Sequence, residues 1–162
     1  MRYLVIMLGI VLFMLGWYTA GVYSVVSTGN IEIPYQVSGS EKASPGDWVG
    51  ENQILVYKDR IEIRVQNASW SRYADSNSMD PLLDKGTNGL ELVPERAEDL
   101  EIGDIIAYTA DWVDGTVIHR IVELGEDEKG WYAITRGDNN GYRDPQRVRF
   151  SDIKYVLIGL IY

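Results

Sequence analysis

Ile54-Leu55-Val56-Tyr57, the polar triplet Lys58-Asp59-Arg60 and then Ile61-Glu62-Ile63-Arg64-Val65 read as two strands joined by a turn. In the second run apolar and charged residues alternate, the period-two pattern of a strand with one face buried. The chain after this hairpin is punctuated in the same way. Gly89 to Val93, Ile105 to Thr109, Val117 to Leu124, Trp131 to Thr135 and Ile153 to Ile161 are short strand-like runs separated by Gly, Asp, Asn and Pro turn signals. Outside the N-terminal segment no long stretch has a helical period, and Glu95 to Leu100, just before Gly103-Asp104, has room for one short helix. The expected fold is mainly β, a partly open barrel-like domain over residues 52–162.

Upstream, the first charge after Arg2 is Glu32, and Leu4 to Val26 is almost wholly apolar. That run matches the ~20 residues a helix needs to cross ~30 Å of hydrocarbon. It is too long for the h-region of a cleavable signal peptide, roughly 7 to 15 residues. Trp17, Tyr18 and Tyr23 also suit an interfacial aromatic belt. A retained transmembrane anchor is expected over residues 1–28. Arg2 lies on one side and Glu32, Glu41 and Asp47 on the other, so the positive-inside rule puts the N-terminus in the cytoplasm and the β domain outside it. Residues 29–51, which include Ser38-Gly39-Ser40 and Ser44-Pro45-Gly46, read as a juxtamembrane linker.

Residues 32–162 carry 14 Lys or Arg and 24 Asp or Glu, a balance of −10, because Arg2 is the one cation of the 15 that precedes them. Such a domain disfavours nucleic acid as a partner. No cysteine is present, which excludes disulfides, thiolate catalysis and Cys-ligated metal. The single histidine excludes a multi-histidine zinc site. No cofactor is implied.

Three segments carry chemistry. Ser76-Asn77-Ser78-Met79-Asp80-Pro81 is, taken alone, a polar turn, though loops held by a rigid sheet are common homes for reactive groups. In Val117-Ile118-His119-Arg120-Ile121-Val122, period two places Val117, His119 and Ile121 on one face and Arg120, a structural residue on this reading, on the other. A lone histidine there is ordinarily a core residue. Gly137-Asp138-Asn139-Asn140 is by itself an Asx-rich turn, with Asp144 just beyond. Together they supply a hydroxyl, an imidazole and carboxylates. A serine hydroxyl attacks only when a base takes its proton, and imidazole does so best when a carboxylate fixes its tautomer. No lysine lies between Lys85 and Lys129 to serve as an alternative base.

On these residues the chain resembles the type I signal peptidases of the archaeal and endoplasmic-reticulum branch, in which histidine replaces the general-base lysine of most bacterial enzymes. The resemblance runs from about Ser76 to Tyr162 and implies a signal peptidase/LexA-like β catalytic domain. Its Ser-x-Met-x-Pro pattern implies Ser78 as nucleophile. The Ser76 hydroxyl and the Ser78 backbone N–H then donate to the oxyanion. Val-Ile-His-Arg implies His119 as base. The Gly-Asp-Asn-Asn box and the acid six residues later imply Asp144 as partner of the imidazole, with Asp138 as a second carboxylate that holds the loop or shares the role. Met79 is a candidate substrate contact, and the implied preference is for small residues such as alanine at P1 and P3. The implied partners are signal-peptide-bearing preproteins and a lipid bilayer; accessory subunits are not readable.

The chain departs from the family where a Gly-Asp pair usually follows the serine box. Here that stretch is Asp84-Lys85-Gly86-Thr87-Asn88, and the pair stands at Gly103-Asp104, so Thr87 to Glu101 is longer than usual. Two other classes fit parts of the sequence: an inactive tethered β domain that binds extended peptides by strand addition, and a related serine peptidase with another substrate. Asn67-Ala68-Ser69 is a glycosylation sequon on the expected outer side, a short pattern that also recurs by chance.

Overall fold

The computed structural model describes residue 7, residues 10–14 and residues 42–162. Residue 7 and residues 10–14 are helical, and the rest of the anchor expected over residues 1–28 lies outside the described residues. Among the described residues no helix is long and apolar enough to cross a membrane. The described chain falls into two compact units, one holding Val49–Arg64 and the other holding residues 42–48 with Val65–Tyr162.

In the smaller unit, β1 (Ile54–Val56) and β2 (Ile61–Ile63) pair antiparallel. The base of this hairpin is closed by the Arg64 N–H donating to the Gln53 carbonyl (2.8 Å) and by Gln53 Nε2 donating to the Arg64 carbonyl (2.7 Å). At the tip the Arg60 guanidinium lies 3.8 Å from the Tyr57 ring centroid. The alternation that marks the strands does not mark a buried face: Ile54, Val56, Ile61 and Ile63 are exposed, and Leu55 is the buried residue.

The larger unit is one six-stranded antiparallel sheet of β3 (Ala68–Arg72), β4 (Asn88–Leu92), β5 (Ile105–Thr109), β6 (Thr116–Asp127), β7 (Gly130–Arg136) and β8 (Ile153–Ile161). Its order is β3-β4-β8-β5-β6-β7, so β3 and β7 are edges and the sheet is open rather than a closed barrel. Where a short helix was expected there is a single 3-10 turn, Ala97–Asp99. The central strand β5 is buried on both faces. Ile106 and Tyr108 join a core with Leu100, Ile121, Val148 and Val156, and Ile105 joins a second core with Met79, Leu83 and Leu157. A fully buried aliphatic side chain contributes roughly 1.5–3 kcal/mol, against about 0.5–1.5 for one ladder hydrogen bond. Register in β5, β6 and β8 is therefore fixed chiefly by Ile105, Ile106, Ile121 and Val156, each nearly or fully buried.

Strand β3 was not expected, because its pattern is inverted. Trp70 faces outward and is exposed, while the inward positions are Ser69 and Ser71. Ser71 Oγ donates to Glu91 Oε2 at 2.6 Å, and the Tyr73 hydroxyl donates to Oε1 at 3.3 Å, so a buried carboxylate on β4 is held by hydroxyls. Burial, reinforced by the charge of Glu91, pushes the Tyr73 phenol far up.

Gly103 and Asp104 have a structural task. Asp104 is wholly buried and accepts from Gly46 N–H (2.7 Å), Trp48 Nε1 (3.1 Å) and Glu101 N–H (2.9 Å). Gly103 sits at φ +113, and a Cβ there would lie 2.1 Å from the Ser44 carbonyl oxygen. The pair thus packs residues 44–48, the end of the expected linker, onto the β domain.

Candidate active site

The serine loop follows the end of β3. Asn77 takes the left-handed conformation (φ 58), which Asn tolerates better than most residues, and Ser78 opens the turn after it. Met79 anchors that turn: it is buried against Leu83, Ile105 and Leu157, and its carbonyl accepts the N–H groups of Leu82 (2.9 Å) and Leu83 (3.0 Å). Ser78 therefore sits half-buried on a loop rooted in the core, with Ser76 Oγ 3.2 Å from its own Oγ.

The Gly137-Asp138-Asn139-Asn140 box lies directly against this loop. The Asn139 N–H donates to the Ser78 carbonyl (3.0 Å), and Asn139 Nδ2 donates to the Asn77 carbonyl (2.9 Å). The Asp138 N–H points at Met79 Sδ (3.3 Å). Position 137 must be glycine for this approach, since a Cβ would lie 2.4 Å from the Ser78 carbonyl oxygen. The Asp138 carboxylate turns the other way and takes both Nε–H and Nη2–H of Arg120, each at 2.7 Å, while Arg120 Nη1 donates to the Gly103 carbonyl at 2.6 Å. Asp138 thus meets the residue beside His119 and not the imidazole.

His119 stands on β6 opposite Ile106 of β5, its side chain buried. Its Nε2 is 3.1 Å from Ser78 Oγ and its Nδ1 is 2.7 Å from Asp144 Oδ2. Asp144 is brought there by its own N–H, which donates to the Thr135 carbonyl at the end of β7 (2.8 Å). Two hydroxyls also reach Asp144 Oδ2: Thr135 Oγ1 at 2.6 Å and the Tyr108 hydroxyl at 2.8 Å. Burial pushes the Asp144 carboxyl up, but hydrogen bonds from His119, Thr135 and Tyr108 and the charge of the imidazolium outweigh it and leave the group below the ordinary aspartate range. The same burial and the neighbouring carboxylate drive the Tyr108 phenol far up, so it stays a neutral donor.

Ser78, His119 and Asp144 are therefore one connected chain, with Ser76 beside it; Asp138 belongs to its supports, and Met79 both roots the serine loop and lines the cavity over it. Tyr108 and Thr135 were not read from the sequence as site residues. The one available signal was a phenol and a hydroxyl among the aliphatic residues of Ile105 to Thr109 and Trp131 to Thr135.

A cavity of about 770 Å³ opens over these groups. Ser76, Ser78 and His119 line it together with apolar side chains that include Tyr73, Leu83, Trp112, Val113 and Ile118. An imidazole with its Nδ1–H on a carboxylate presents the Nε2 lone pair to the serine hydroxyl, the arrangement that turns serine into a nucleophile. Among the described residues no group of three or more His, Asp or Glu is disposed to hold a metal ion.

No protein-family model matches the chain, and no solved structure matches it. The chain is similar to the signal peptidase complex catalytic subunit sec11 of Schizosaccharomyces pombe, with 33% identity over 64 residues that cover 37% of this chain and 34% of that protein. It thus spans about a third of the length of the curated relative it matches.

Proposed function

We propose that this chain is a membrane-bound serine endopeptidase that removes N-terminal signal peptides from exported preproteins after small residues, with its β domain on the extracytoplasmic side. The observation that carries the reading is the single imidazole that reaches a half-buried serine hydroxyl through one ring nitrogen (3.1 Å) and a buried carboxylate through the other (2.7 Å). Partial similarity to a signal peptidase catalytic subunit supports the choice of substrate. The apolar run from Leu4 to Val26 supports delivery at a membrane.

On this reading Ser78 Oγ attacks the carbonyl carbon of the scissile bond while its proton passes to His119 Nε2. The Ser76 hydroxyl and the Ser78 N–H face the developing oxyanion. His119 returns the proton to the leaving amine as the C–N bond breaks, leaving an acyl-enzyme on Ser78. A water, deprotonated by the same nitrogen, then releases the signal peptide and restores the hydroxyl. Asp144 stays ionised throughout and balances the imidazolium. The apolar lining of the cavity accepts an extended segment with small side chains.

Processing of one preprotein by full-length protein in detergent tests the proposal. Wild type cleaves after the small residue, and Ser78→Ala gives no product while retaining its melting temperature. Equal cleavage by the two proteins removes the proposal.

A further inference from the structure

Asp144 Oδ2 is the meeting point of an imidazole nitrogen and two hydroxyl donors from three strands: His119 from β6, Tyr108 from β5 and Thr135 from β7. Tyr108 and Thr135 are themselves within 3.0 Å of one another and are fully buried. Each hydroxyl owns one proton, so two protons serve three oxygen–oxygen contacts of 2.6, 2.8 and 3.0 Å. The two shorter contacts run to the carboxylate, and charge-assisted hydrogen bonds are the short ones. With both hydroxyl protons turned to Oδ2, that oxygen can only accept. An imidazole 2.7 Å away must then bring an N–H, which assigns the proton to Nδ1 and leaves the Nε2 lone pair for Ser78.

We propose that Tyr108 and Thr135 are positioning residues that select the working tautomer of His119 by holding Asp144 as an oriented, acceptor-only carboxylate. Without these hydroxyls the opposing effect, burial, is offset by His119 alone. Asp144 then takes up a proton more readily and can donate to Nδ1, so that Nε2 carries the hydrogen and the serine faces a donor instead of a base. Among the described residues the charges nearest in the loop are paired elsewhere: Arg143 with Glu123 (2.6 Å) and Asp138 with Arg120. The rate consequence rests on the peptidase reading above; the tautomer consequence does not.

The chain has one histidine, so an imidazole-¹⁵N spectrum of the full-length protein in detergent reports His119 alone. Wild type at mildly alkaline pH shows the Nδ1–H tautomer. Thr135→Val and Tyr108→Phe each introduce an Nε2–H population and lower kcat on an internally quenched alanine-site peptide by about 10- to 100-fold, the worth of one hydrogen bond to a charged group. KM changes little, and the deficit deepens as the pH falls. Thr135→Ser, which keeps the hydroxyl, behaves as wild type. An unchanged tautomer in the Thr135→Val/Tyr108→Phe double variant overturns the inference whether or not the rate falls, because a rate loss without it reports only packing. A changed tautomer alongside full activity in Ser78→Ala upholds the inference and removes the peptidase reading instead.

Discussion

Asp138 and Asp144 stand six residues apart in one loop, and the two ends of that loop are built on opposite principles. At the Asp138 end the contacts are backbone amides, a sulfur and a partly exposed bidentate ion pair, which join the serine loop to Arg120 on the histidine strand. At the Asp144 end the carboxylate is withdrawn from solvent and surrounded by an imidazole and two hydroxyls on strands of the sheet. The first end sets where Ser78 lies relative to His119. On the proposed reading the second sets what His119 offers to Ser78. Exposed and partly exposed ion pairs contribute little to stability, about 0–1 kcal/mol, so the Asp138 pair matters as a tie between two elements. A buried carboxylate is costly unless its donors are in place, so each donor lost at the Asp144 end weakens the arrangement.

This contrast gives two substitutions with different signatures. Asp144→Asn preserves the shape of the side chain but presents an amide where an acceptor-only oxygen is needed, so kcat falls by as much as ~10⁴-fold, as in other triads that lose the tautomer-fixing carboxylate. Circular dichroism and the melting temperature then separate lost chemistry from lost folding. The smaller effect belongs to Asp138→Asn, which breaks the tie to Arg120. It costs about 1 kcal/mol, the upper end for an ion pair that is partly exposed, read as a melting temperature a few degrees lower. Because Arg120 is the other half of the pair, Asp138→Asn and Arg120→Gln in one chain cost less than their sum in a double-mutant cycle. A folded but inactive Asp138→Asn beside a near-normal Asp144→Asn exchanges the two roles.

The same contrast explains what could be read in the sequence. Strands β5 and β8 were legible to the residue, because runs such as Ile105 to Thr109 are apolar and end at turn signals. Ser78, His119 and Asp144 were singled out through the resemblance of their segments to signal peptidase motifs, with Asp138 left beside Asp144 as a second carboxylate. Strand β3 was not, since its inward positions are serines that serve the buried Glu91 and its large apolar residue points to solvent. Nor could alternation show which face of the β1–β2 hairpin is exposed, because period two assigns residues to faces without saying which face is covered. The division of labour between Asp138 and Asp144 depends on tertiary placement: Gly137 lets the loop press on Ser78, and Thr135 draws Asp144 back to the strand end. Tyr108 and Thr135 escaped because a hydroxyl in a strand carries no local sign of the carboxylate it will meet.

The most direct test of the central claim, that His119 fixed by Asp144 activates Ser78, is the rate at which a fluorophosphonate probe labels the full-length protein, with the modified residue located by peptide mass spectrometry. The account predicts a single adduct on Ser78 in wild type, labelling in Asp138→Asn that tracks its folded fraction, and labelling slowed by orders of magnitude in His119→Ala and Asp144→Asn with the fold intact. Labelling of Ser78 at the wild-type rate in His119→Ala, or an adduct on a different residue, contradicts it.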